Sequence, residues 1–299
     1  MTATVTHGAS PASLRDTFRD RGFVVLPKLF DDALVATLLE RLERRSRGAR
    51  GEMPNGTRAW TAPDGVTRNA EFWPVIFHAP LRAAARALLG DDPCFLQHTD
   101  LHVGFSSFNW HRDSVSRTLG VGPDWDEHDA PYRLVRCGIY LQAPSGQFRL
   151  GLVPGSHRLA DPRAARARLA VERGASWLGH VRRLATGRVP DVPGAEWVAA
   201  SAGDAVLFDP RVLHTGTPVD GAKYSVFVAY GVPNRHFVHH ARYYRFERKE
   251  LGYGPIAPAL VEQLRAAGLH HPVDAGPAPA AATRPTLAET LIMARRRAH

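Results

Sequence analysis

The feature that most limits the fold is a change of periodicity near Pro93. Before it, apolar residues recur at helical spacing. After it they fall into short runs rich in Val, Phe, Tyr and Leu, each bounded by Gly or Pro. Runs over residues 95–103, 132–141, 205–209 and 224–231 are too short for helices and predict strands. Upstream, Ser13–Asp20 and Asp31–Arg45 predict helices, the second opened by Asp31-Asp32. Between them Gly22–Pro27 predicts a short strand, and Pro80–Leu89 predicts a helix stopped by Gly90. Residues 46–70, with scattered Gly, Pro and Asn, predict loop. Helices followed by many short strands imply an α+β, mainly β protein with a sandwich or barrel core.

Residues 1–10 read as a loose tail and 11–250 as one domain. Within that domain Pro162–Leu184, rich in arginine, predicts a helical insertion over about residues 160–190. Residues 251–299 read as a C-terminal extension, an Ala/Pro-rich linker followed by a basic helix. The chain of 299 residues is 44% hydrophobic, long enough to bury a core without a metal or disulfide. Its net charge of +9 invites a nucleic-acid reading, but 35 of the 38 basic residues are arginine. No element interleaves them with aromatics, as a stacking platform would. Two cysteines, Cys94 and Cys137, exclude a disulfide framework and fit a reducing compartment. No signal peptide or membrane-length apolar run is evident, so a soluble, cytoplasmic protein is expected. Oligomeric state is unreadable.

The chemistry concentrates in Trp110-His111-Arg112-Asp113. In an extended segment positions i and i+2 share a face, so His111 and Asp113 can grip one ion. The segment Gly203–His214, a Gly-Asp turn and a strand, offers a third ligand in His214. Two imidazoles and one carboxylate leave three coordination positions open, as in non-haem Fe(II) oxygenases. Read alone, the H-x-D pair also fits a surface strand. There is no G-x-x-x-x-G-K, G-x-G-x-x-G, H-E-x-x-H or G-x-S-x-G, so NTPase, dinucleotide-binding and serine-hydrolase readings fail.

Four segments in order resemble the phytanoyl-CoA dioxygenase-like branch of the Fe(II)/2-oxoglutarate oxygenases. They are Arg21–Pro27, Trp110–Asp113, Val153-Pro154-Gly155-Ser156-His157-Arg158, and Gly203–His214. The resemblance spans roughly residues 17–235. It implies a double-stranded β-helix (jelly-roll) core, His111, Asp113 and His214 as iron ligands, and 2-oxoglutarate and O2 as co-substrates. His157 is expected to hydrogen-bond within its turn.

The family places a basic residue, usually arginine, on the strand after the distal histidine to hold the far carboxylate of 2-oxoglutarate. Here Lys223 stands nine residues after His214, with Ser225 on the same strand face. A lysine cannot make the bidentate fork of a guanidinium, so this departs from the usual pattern. The rival anchor is Arg136. It shares a strand face with Gly138, Tyr140 and Gln142, which is either exposed or lines a cavity, and the resemblance favours the cavity. His98, Asp100 and His102 form a similar face. His102, Tyr140, Gln142 and Trp125 are substrate-contact candidates, and Trp125 also reads as a loop anchor.

The implied activity is oxidation, most simply hydroxylation, of an unactivated C–H of a small molecule, with release of succinate and CO2. The composition leans toward a biosynthetic substrate. Desaturation, cyclisation and epimerisation remain open. Related halogenases carry a small residue in place of the carboxylate, so Asp113 favours hydroxylation over halogenation. The different-class alternatives are a metal-binding jelly roll without turnover and a basic nucleic-acid-binding protein.

Overall fold

A computed structural model describes residues 10–52, 58–90, 92–104, 110–142, 149–158, 192–216 and 223–274. Residues 1–9 of the predicted 1–10 tail, the insertion, the Ala/Pro-rich linker and the basic helix lie outside the described residues. Helix α1 (Pro11–Arg21) begins with the Ser10 hydroxyl accepting from Ser13 N, with Pro11 at the first helical position. It ends on Gly22, whose φ of 81° is the left-handed cap that glycine adopts without steric cost. A Cβ there would also meet Val212 Cγ2 and lie 2.5 Å from His157 Nδ1. Strand β1 (Phe23–Leu26) follows. Helix α2 (Asp32–Ser46) is capped by the Asp31 carboxylate, which accepts from Leu34 N at 2.8 Å.

The loop expected over residues 46–70 is corrected. It contains β2 (Gly51–Glu52), β3 (Arg58–Pro63) and a helical turn, α3 (Gly65–Arg68). Two further helices, α4 (Trp73–Phe77) and α5 (Ala79–Leu89), lead to β4 (Cys94–Val103) and β5 (Leu134–Tyr140). Three-residue strands β6 (Leu150–Leu152) and β7 (Glu196–Val198) precede β8 (Ala205–Phe208), β9 (His214–Gly216) and β10 (Tyr224–Gly231). The seven-stranded sheet runs β1-β8-β5-β10-β4-β3-β2 and the three-stranded one β7-β6-β9, with every pairing antiparallel. This is the β-rich, jelly-roll-like sandwich the resemblance implied.

Strand alternation decides what each sheet face touches. Val24, Leu26, Val135, Cys137, Ile139, Val226, Val228 and Tyr230 turn outward into a core shared with the helices. Phe23, Val25, Tyr140, Val206, Phe208 and Phe227 turn inward against Leu150, Leu152 and Val198 of the small sheet. Each such fully buried Leu, Val or Phe contributes about 1.5–3 kcal/mol by leaving water. The outer core extends past residue 250. Leu260 and Leu264, on the helix Pro258–Ala266, and Leu269 are buried in it, and Phe95 N donates to Leu269 O at 2.8 Å.

Candidate metal centre

Backbone pairing brings the distant histidines together. His111 N donates to His214 O and His214 N to His111 O, both at 3.0 Å, a single antiparallel bridge beside β9. Two residues on, Asp113 N and Ser114 N donate to Pro210 O at 2.8 and 2.9 Å. The H-x-D segment is therefore pinned along the loop that ends in His214. The ligand atoms of His111, Asp113 and His214 all lie within 4.8 Å of one another. Asp113 Oδ1 is 3.6 Å from His111 Nε2, and its Oδ2 is 3.7 Å from His214 Nε2. Three donors about 2.1 Å from one ion sit roughly 3 to 3.6 Å apart at ordinary coordination angles, so the set needs little adjustment to close on a metal.

The protonation states suit ligation. His214 Nδ1 lies 2.9 Å from Val212 O, which can only accept, so Nδ1 carries the proton and Nε2 keeps its lone pair. Burial, then the neighbouring His111, pushes His214 down to about 3, so the ring is neutral. Burial alone would raise the Asp113 carboxyl. The Arg136 guanidinium, with His214 and His111, outweighs it and holds Asp113 well below the usual carboxylate range.

Arg136 is committed to two carboxylates and one backbone carbonyl. Its Nε forms an ion pair with Asp113 Oδ2 at 2.9 Å, one terminal nitrogen donates to His98 O at 2.8 Å, and the other pairs with Asp100. The Phe227 ring packs over Gly138, where a Cβ would lie 2.7 Å from Phe227 Cε1.

Lys223, immediately before β10, and Ser225 within it are buried. Burial pushes the Lys223 amine down to about 7. Ser225 sits in one cross-strand row with Tyr140 of β5 and His102 of β4. Its buried Oγ has no hydrogen-bond partner among the described residues. The Phe227 ring packs among these side chains, with ring centroids 5.2 Å from His102 and 6.4 Å from Tyr140, and 5.1 Å from the Arg136 guanidinium.

Gln142 stands apart from this row's chemistry. Its amide spans the sheet edge, donating to Ala200 O at 3.1 Å and accepting from Tyr224 N at 3.0 Å. Trp125 is a loop anchor. Its Nε1 donates to Ser116 O at 2.9 Å, and the guanidinium groups of Arg112 and Arg211 lie 5.5 and 5.7 Å from its ring. His157 does not bond within its turn: its Nε2 donates to Arg19 O at 3.0 Å and ties the turn to helix α1.

Sequence reasoning missed a layer beneath Asp113. Tyr244 donates to Asp113 O at 3.1 Å and stacks on His98 at 3.7 Å, and His98 shares a 2.9 Å hydrogen bond with His240. The available signal was the density of His, Tyr and Arg over residues 235–248.

The sequence matches the phytanoyl-CoA dioxygenase family model over residues 18–224. The chain belongs to the phytanoyl-CoA dioxygenase family. It is accordingly an Fe(II)/2-oxoglutarate-dependent oxygenase. Among solved structures it is similar to HygX from Streptomyces hygroscopicus with nickel and 2-oxoglutarate bound. That match has a TM-score of 0.52 and 20% identity, covering 73% of this chain and 86% of that one. It is also similar to the carbocyclase SnoK (TM-score 0.50, 19% identity, 75% and 84% covered). The epimerase SnoN has a TM-score of 0.50 and 18% identity, with 74% and 83% covered. Both come from nogalamycin biosynthesis. No curated protein matches the sequence. Among the described residues of this dioxygenase-family chain, no helix is long and apolar enough to cross a membrane.

Proposed function

We propose that the protein hydroxylates an unactivated C–H bond of a small molecule, with iron held by His111, Asp113 and His214. The carrying observation is the donor set itself: two imidazoles and one ionised carboxylate, convergent and tied to each other by backbone. Lys223 and Ser225 are assigned to the far carboxylate of 2-oxoglutarate. A buried amine beside a buried, unsatisfied hydroxyl suits an anion, and Arg136 is already committed to two carboxylates.

Bound iron, with 2-oxoglutarate and O2, supplies the oxidising chemistry for C–H attack, with succinate and CO2 as co-products. The chain supplies position. His214 presents Nε2 because Val212 O holds Nδ1, and Asp113 stays ionised because Arg136 faces it. Lys223 and Ser225 orient the co-substrate from the start of β10, while the buried Phe208, Phe227 and Tyr140 keep water from the site. His102, on the rung with Ser225, is assigned to substrate or co-substrate contact. Asp113 fills the place that a halide would need. Desaturation, cyclisation or epimerisation would use the same side chains and differ in the fate of the substrate radical. The buried free thiols of Cys94 and Cys137 suit a cytoplasmic setting.

The test is an anaerobic titration of metal-free protein with Fe(II) and then 2-oxoglutarate, following the visible charge-transfer band of the chelate. The band should need both components and vanish in Asp113→Ala and His214→Ala. A folded protein that gives no band refutes the assignment. A metal-binding protein without turnover would give the band but consume no 2-oxoglutarate in air over any substrate panel.

A further inference from the structure

We infer that Arg136 and Asp100 form a charge-balanced clamp that sets both the denticity and the effective charge of the Asp113 ligand. The inference rests on the metal-centre reading above and goes beyond it to residues that touch no metal. Arg136 Nε lies 2.9 Å from Asp113 Oδ2, and a terminal nitrogen of the same guanidinium pairs with Asp100. The third contact, to His98 O at 2.8 Å, fixes the plane of the group against the β4 backbone. Arg136 stands on β5 and its partners on β4 or on the pinned H-x-D segment, so the clamp is part of the large sheet.

Two consequences follow from elementary chemistry. With Oδ2 drawn into an ion pair by Arg136, Asp113 offers Oδ1, which faces His111, as its primary donor to an ion. A carboxylate that gave both oxygens would take a fourth coordination position, leaving too few for a chelating co-substrate and O2. The second consequence is charge. Asp113, Arg136 and Asp100 together carry −1, the charge of one carboxylate, although three buried ions are present. Remove Asp100 and the guanidinium cancels Asp113, so a cation at the centre loses the attraction that holds it. Arg136 and Asp100 are thus positioning residues, and the large-sheet arginine that the sequence offers as a co-substrate anchor serves the metal ligand instead.

The test compares Fe(II) affinity in metal-free Asp100→Asn, the double variant Arg136→Met/Asp100→Asn, and Asp113→Ala, titrated without oxygen. Asp100→Asn is nearly isosteric and keeps Arg136, so it should fold. It should bind Fe(II) about 10–100-fold more weakly, the usual loss for a partner behind a metal ligand. The double variant restores the net charge of −1 but frees Oδ2. It should recover much of the affinity, yet shift the chelate band formed with 2-oxoglutarate, because the coordination of Asp113 is no longer constrained. A merely structural role for the pair would lower the unfolding temperature and leave affinity and band unchanged. Fe(II) affinity within twofold of the parent in Asp100→Asn would overturn the clamp, whatever the double variant does. If Asp113→Ala keeps full Fe(II) affinity, the metal-centre reading itself fails, and that result is distinguishable from failure of the clamp alone.

Discussion

Replacing Lys223 with methionine should make the metal-free protein more stable while ruining its hold on 2-oxoglutarate. The amine sits at 4% exposure, and burial moves it from 10.5 to about 7. At ~1.4 kcal/mol for each pH unit, that fall sets a ceiling of roughly 5 kcal/mol on the cost of burying the charge. Relaxation of the surroundings will leave on the order of half of it. The sign follows from proton counting. Between pH 7 and 10.5 the unfolded chain holds the lysine proton and the folded chain does not, so stability rises with pH through that window. Below pH 7 both states are protonated and the penalty is complete. Lys223→Met, which keeps the stem and removes the charge, should therefore raise the unfolding temperature most at pH 7 and below. The gain should fade toward pH 10. The co-substrate reverses the balance, since its carboxylate favours the ammonium form. Above pH 7 its binding must take up a proton, so apparent affinity should fall up to tenfold per pH unit. The assay is thermal unfolding with and without 2-oxoglutarate, together with chelate-band titrations from pH 6 to 9. An unchanged 2-oxoglutarate affinity in Lys223→Met, or a flat pH dependence in the parent, would refute the argument.

Other substitutions test separate parts of the site. His111→Ala, Asp113→Ala and His214→Ala should each abolish turnover and weaken Fe(II) binding, and near-normal turnover in any one removes it from the ligand set. Ser225→Ala deletes a hydroxyl that has no hydrogen-bond partner among the described residues, so stability should hold while the KM for 2-oxoglutarate rises about tenfold, equivalent to one net hydrogen bond to a charged group. Tyr244→Phe removes the bond to Asp113 O at a cost of about 1 kcal/mol, measurable by urea unfolding. Gly22→Ala should cost several times that, because its Cβ must enter the space of Val212 and His157 at a φ of 81°; a loss under about 1 kcal/mol would contradict the packing.

Legibility in the sequence tracked element length. The runs ending in Val103, Leu141, Asp209 and Gly231 were readable as strands, because each alternates or stays apolar long enough for a period to show. They recur as β4, β5, β8 and β10 within two residues at either end. Strands β6, β7 and β9 have three residues each and no measurable period, so only their ladders reveal them. Strand β3 was lost among loop residues because it ends at Pro63 and carries polar positions, although its partner Val103 lies opposite Trp60. His111, Asp113 and His214 were legible because residue type and spacing alone restrict what they can hold. The commitment of Arg136 was not. An ion pair to Asp113 and Asp100 depends on which strands meet, and β5 touches neither segment in sequence. The same holds for Gln142 and Trp125, whose hydrogen bonds close onto Ala200, Tyr224 and Ser116 backbone.

The ligands lie where the fold is least continuous, and that placement explains how buried charge is distributed around them. His111 is tied by a single bridge and His214 opens a three-residue strand, so few ladder bonds hold either. The long strands β4, β5 and β10 carry no proposed ligand but provide Asp100, Arg136 and Ser225 from one inward face. A centre built only on the long strands would have its geometry set by their pleat, with side chains spaced at about 7 Å along one face. That spacing lets two side chains share an ion, as in the H-x-D pair, but the third donor must come from another segment. Joining two loops by a bridge brings donor atoms within 4.8 Å, and the sheet then restrains them through charge rather than through ladder hydrogen bonds. Buried ions are costly unless paired, so Arg136 between two carboxylates makes such restraint tolerable in the interior. On this view the rigidity of the metal centre and the stability of the large sheet are coupled through one guanidinium, and a substitution at Arg136 must disturb both.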